Sequence, residues 1–258
     1  MLSLALLESS DHMRAIRLAT SLWLTMVGLL ILVSLLFNKL PGLATLSSLT
    51  STGFEELILI IIVLFLNERY VHQTLRFRSN LSWTNQVSIV GPAVLIAGYA
   101  AFSSLFTSAT ATTTLTTLLV ALLVSVFEEI LFRGIIFKQS LPTVNPGINA
   151  ILQAAAFSSI LFSLTHLVNL THQSWLLTGL QLLFTFVIGL LLCGLYQATN
   201  SLWWPIVIHA LNDFFSFSQP TINIPFIHTT AAFQLLEIGI ILALTGLVFR
   251  HLVTVTQR

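Results

Sequence analysis

Long apolar runs alternate with short polar breaks along almost the whole chain. The first run begins after Arg17 and ends at Phe37, before Asn38, Lys39 and Pro41. About 20 consecutive apolar residues cross the hydrocarbon core of a bilayer as a helix, and this run has that length. A second run starts between Leu43 and Phe54 and ends at Leu66, before Asn67, Glu68 and Arg69. A third covers Val87 to Phe106, and a fourth covers Thr112 to Phe137 and is closed by Lys138 and Pro142. The fifth lies between Ile148 and Leu170, the sixth between Trp175 and Tyr196, the seventh from Ser201 to Phe217 and the eighth from Thr230 to Phe249. A spanning segment must satisfy its own backbone polar groups, which a helix does. The pattern therefore predicts an all-α fold, a polytopic transmembrane helical bundle of about eight spans. The only long polar segment, Asn67 to Gln86, is too short for a soluble domain, so residues 1–258 read as a single integral membrane domain. Met1 to Leu7 is apolar, but no positive charge precedes it and Glu8 and Asp11 follow, so it does not read as a signal peptide.

Composition narrows the function classes. Only 7% of the residues are charged, against about 25% in soluble domains. That surface cannot solvate a globule of this size, which excludes an ordinary soluble enzyme and a disordered chain. A net charge of +1 excludes a phosphate-tracking surface, so no nucleic-acid partner is expected. One cysteine, Cys193, leaves no internal disulfide and no cysteine-rich metal site. Basic residues set the orientation. With both termini in the cytoplasm, Arg14, Arg17, Arg69, Arg76, Arg78, Lys138, Arg250 and Arg258 fall inside and only Lys39 falls outside. An odd number of spans would break this agreement. Short loops without an organelle-targeting segment point to a bacterial cytoplasmic membrane, with lipid as the first partner.

Against this apolar background the ionisable residues inside spans stand out. Each costs about 2.5–3.5 kcal/mol at a span centre on insertion scales. The fourth run holds Glu128, Glu129 and Arg133, the fifth holds His166, and the seventh holds His209 and Asp213. Polar side chains can simply glue helices together, but glue needs a pair or two, not six groups on three helices. Glu129 and Arg133 are four apart with the acid first, the favoured order for an ion pair on one face, and read as structural. Glu128 is rotated about 100° from Glu129 and faces Phe132 four residues on, so it has no partner on its own helix. It is the candidate acid/base, exchanging a proton with water and a leaving group. His209 and Asp213 share a face. A carboxylate at that spacing can orient the imidazole or help hold an ion or an oxyanion, and Asn212 is a neighbouring polar candidate. Two chemical readings stay open. Glu128, His166, His209 and Asp213 are candidates to hold one divalent metal such as zinc, whose water would be activated. Alternatively the imidazoles hold the water and the oxyanion with no metal.

Depth tests whether these groups can meet. At a rise of 1.5 Å per residue, Glu128 lies roughly 13 Å and His209 about 12 Å from the cytoplasmic end of their spans. A fifth span beginning at Ile148 would put His166 about 27 Å deep. Convergence therefore predicts that Asn145 to Gln153 forms a separate interfacial turn or helix, or that the fifth span tilts strongly.

Three local patterns carry a family resemblance: Glu128-Glu129-Ile130-Leu131-Phe132-Arg133, Phe162-Ser163-Leu164-Thr165-His166, and His209-Ala210-Leu211-Asn212-Asp213. In order, spacing and membrane setting they resemble the CAAX prenyl protease and bacteriocin-processing (CPBP, or Abi) family. Residues 118–217 are the motif-bearing core, and residues 1–110 carry no recognised motif. The resemblance implies an intramembrane endopeptidase in which Glu128 activates water, His166 and His209 hold the water or a metal, and Asp213 completes the site. Glu129 and Arg133 belong to the same pattern. Asp213 stands where the family usually has Asn. A carboxylate does not donate unless protonated, which favours a metal over an oxyanion hole. The expected substrate is a membrane-associated peptide or protein tail reaching the site from the cytoplasmic half. Two alternatives make no use of proteolysis: a non-catalytic bacteriocin-immunity or partner-binding protein, and an ion-coupled transporter. The transporter predicts an inverted repeat of broken helices, which the chain lacks.

Weaker features have bland readings. Phe54-Glu55-Glu56 echoes Phe127-Glu128-Glu129, but Ile60 stands where an arginine would be needed; the pair reads as a span start near the outer interface, or, at about 15–17 Å from the cytoplasmic end of the span, as a part of the core site. Trp203 and Trp204 before Pro205 suit an interfacial belt. His172 and His228 fall in loops. Gly28, Gly134, Gly189 and Gly194 read as points of close helix approach.

Overall fold

A computed structural model describes residues 2–106, 109–142, 146–171, 173–218 and 231–256. His172, His228, Arg258 and Asn145 of the readings above lie outside the described residues. Eight α-helices and no strand occur among the described residues: α1 Leu2–Lys39, α2 Ser48–Leu66, α3 Trp83–Ser103, α4 Ala111–Glu129, α5 Ile148–Thr165, α6 Trp175–Thr199, α7 Trp203–Ser218 and α8 Ala231–Thr256. A π-helical segment, Ile130–Phe137, continues α4, and a 3-10 turn, His166–Thr171, continues α5. Seven helices are long and apolar enough to cross a bilayer, so the protein is a multi-pass helical membrane protein. The eighth, α7, has only 16 residues.

The short α7 has a physical cause. Ser201 and Leu202, just ahead of it, are buried. They are covered by the extended segment after α2: Ser201 Oγ donates to the Phe77 carbonyl at 2.6 Å, and Leu202 N donates to the Arg76 carbonyl at 2.8 Å. The start of α7 is therefore covered by protein. The helix α5 starts at Ile148 and runs unbroken to Thr165, so no separate turn or helix occupies the described part of 145–153. Near the end of α5 the Phe162 ring lies 5.7 Å from the His209 ring.

The core lies among α4 to α7. The helix α4 packs on α2 and α7, α6 on α5 and α8, and α3 on α7. Most spans bury one stripe, but the π segment is buried on every side, from Ile130 to Phe137. An all-round apolar helix belongs in the middle of a bundle. Ser158 on α5 donates to the Phe132 carbonyl at 2.7 Å, supplying a partner where the π turn disturbs the regular ladder. The helices α5 and α6 meet at Gly189. A Cβ placed there would lie 2.8 Å from Ser159 Oγ and 3.3 Å from Ser159 Cα. Gly189→Ala should therefore lower thermal stability in detergent by about 1–3 kcal/mol. Gly28→Ala should be silent in the same melt, because nothing lies within 4 Å of a Cβ at Gly28. The expectation of a close approach at Gly28 is thus wrong, while Gly134, Gly189 and Gly194 all face neighbours within 3.0 Å.

Candidate active site

The site forms where the end of α4 passes α7. On α4, Glu129 is fully buried and its Oε1 accepts from Arg133 at 2.7 Å. The pair expected from i,i+4 spacing is present, and Arg133 also lies over the Phe162 ring, 4.4 Å from its centroid. The same Glu129 oxygen takes a second partner that spacing did not indicate: His209 Nδ1, at 2.8 Å. A carboxylate accepts, so Nδ1 carries the proton and the ring is fixed in orientation. Its other nitrogen, Nε2, lies 3.4 Å from Glu128 Oε2 and 3.5 Å from Asp213 Oδ2. Asp213 thus faces Nε2 of His209, and the carboxylate that fixes the ring is Glu129 from another helix. Ser125 Oγ approaches Asp213 Oδ2 at 3.4 Å.

His166 sits at the end of α5, in the wall of the same cavity as Glu128, His209 and Asp213. Its Nδ1 lies 3.0 Å from the Phe162 carbonyl. A carbonyl only accepts, so Nδ1 holds the hydrogen and Nε2 keeps its lone pair. The Phe162 ring stands edge-on to both imidazoles, with centroids 5.1 Å from His166 and 5.7 Å from His209. The cavity encloses about 550 Å³.

The donor set can be tested against a divalent ion. One atom each from Glu128, His209 and Asp213 lie within 4.8 Å of one another. Ligands 2.0–2.2 Å from a tetrahedral zinc stand about 3.3–3.6 Å apart, and the Nε2 separations of 3.4 and 3.5 Å agree. The Nδ1–H to Glu129 contact is the kind of outer support that ligating histidines carry. His166 is not part of this group.

Residues 110–215 match a family model described as type II CAAX prenyl endopeptidase Rce1-like. That stretch is CAAX-endopeptidase-like. It spans α4 to α7 and includes all three motifs, in agreement with the resemblance drawn from them. No curated protein and no solved structure matches the chain.

Several side chains of the site were not singled out from sequence. Ser125 lies three residues before Glu128 and four before Glu129, a spacing that places it on their side of the helix. Glu237 on α8 lines the cavity, and a lone ionisable residue inside an apolar run is itself a signal. Glu56 on α2, already marked by the echo of Glu129 in the sequence, is buried, with one oxygen lacking a hydrogen bond among the described residues. It is not in the cavity wall. Glu55 instead accepts from Ser51 at 3.0 Å.

Proposed function

We propose that the protein is an intramembrane endopeptidase that hydrolyses a peptide bond with a glutamate-activated water. The observation that carries this reading is the meeting of Glu128, His209 and Asp213, from two helices, in the wall of a cavity large enough for a peptide segment. Glu128 takes a proton from water as the water oxygen bonds to the substrate carbonyl carbon. It returns that proton to the amine nitrogen as the carbon–nitrogen bond breaks. The lone pair of His166 Nε2 holds the water from the opposite wall, and the Asn212 amide, which also lines the cavity, is placed to donate to the developing oxyanion. Glu129 and Arg133 act through His209 as positioning residues. If an ion is bound, Glu128, His209 and Asp213 would hold it, and it would supply polarisation of water and carbonyl.

Purified protein in liposomes, mixed with membrane peptides with and without chelator, tests the reading. Product that forms with wild type and not with Glu128→Gln supports it, and loss of product on chelation assigns the ion. Absence of any Glu128-dependent product would contradict it. In the same assay Glu129→Gln should lower kcat about 10–100-fold, since it loosens His209 without touching the substrate. An unchanged kcat would remove Glu129 from the positioning role.

A further inference from the structure

The cavity belongs to one end of the bundle. On α5 its wall starts only at Phe162, on α7 only at His209, and on α8 it uses Gln234 and Glu237 near the helix start. On α6 it runs from Leu177 no further than Ile188. Every one of these stretches lies toward the ends marked by Lys39, Ser104 and Trp175. The opposite end is sealed. Ile135, Ile136, Phe137, Cys193, Leu195, Tyr196 and Leu202 show no exposure at all. That sealed end carries Arg14, Arg17, Arg69, Arg76, Arg78, Lys138 and Arg250, whereas Lys39 alone stands at the open end. Basic residues stay in the cytoplasm. The depth along α7 agrees: His209 lies nine residues, about 13 Å, from the open end at Ser218.

Resting on the endopeptidase reading, we infer that the site takes its substrate from the non-cytoplasmic face, as an extended peptide segment. This replaces the cytoplasmic approach expected from sequence. The wall supports the substrate class. Asn169, Gln173, Gln181 and Gln234 supply amides, which both donate and accept as a peptide backbone does. Asn169 and Gln181 are already bonded to each other at 2.9 Å. Gln234 Oε1, by contrast, is buried with no hydrogen-bond partner among the described residues, an acceptor suited to a substrate N–H. Glu237 also lines this part of the wall.

Two readouts test this. Gln173→Cys places a thiol at the exposed rim, Asn80→Cys places one at the basic end, and native Cys193 is buried and silent. With a membrane-impermeant maleimide, Gln173→Cys should label in right-side-out vesicles and Asn80→Cys only in inverted ones; the reverse pattern overturns the sidedness. A pool of membrane-impermeant random-sequence peptides is then supplied to each vesicle type, with Glu128→Gln as the blank. Cleavage should occur in right-side-out vesicles and not in inverted ones. Cleavage confined to inverted vesicles overturns the inference and leaves the endopeptidase reading standing. Outside labelling with no Glu128-dependent cleavage of the pool in either vesicle, or in detergent, overturns the endopeptidase reading and the peptide assignment with it.

Discussion

Glu128→Gln should lower peptide cleavage about 10²–10⁴-fold, the contribution of a positioned general acid/base, while expression, helix content and melting temperature hold. The asymmetry follows from the geometry. Glu128 is 12% exposed and lines the cavity, and His209 Nε2 is 3.4 Å away. The amide is nearly isosteric, so packing is kept and only proton exchange is lost. The same variant separates the proteolytic reading from the immunity one. A non-catalytic immunity protein keeps its protection with glutamine at this position, whereas a protease loses it and leaves its substrate uncut.

Arg133→Met should destabilise the bundle more than any change in the cavity. Arg133 and Glu129 are both fully buried and joined at 2.7 Å. Removing one partner of a buried pair costs about 3–5 kcal/mol, because the other charge is stranded. In a protein of this size that corresponds to a fall in melting temperature of roughly 6–20 °C. The double variant Glu129→Gln/Arg133→Met removes both charges and should recover much of that stability. It should not recover activity, because His209 Nδ1 then lacks its carboxylate. A melt in which the double variant is no better than Arg133→Met alone would show that the pair is not the main electrostatic term here.

Much of this architecture was legible in the pattern of apolar residues. Run lengths gave all eight helices, because hydrocarbon leaves a spanning chain little choice but a helix. Ion-pair spacing gave Glu129 with Arg133, and the cost of buried charge singled out six candidate residues. What spacing could not reach was the third dimension. The bond from Glu129 to His209 joins residues 80 apart in sequence, and nothing local marks it. The start of α7 is covered by Arg76 and Phe77, a contact with a distant segment that counting along one span does not reach. The sidedness proposed above was no more visible in the sequence. Glu128 lies nearer the cytoplasmic end of its own span, yet it forms the floor of a cavity whose walls rise the other way. Glu237 could have been found, since it breaks the eighth apolar run.

The central claim is that a water molecule, polarised by Glu128 and its imidazole neighbours, opens a peptide bond in this cavity. Mass spectrometry of a cleaved peptide in ¹⁸O-labelled water tests it most directly. The account predicts a single labelled oxygen in the new C-terminal carboxyl for the wild-type protein and intact peptide for Glu128→Gln. Unlabelled product, or equal labelled product from both proteins, would contradict it.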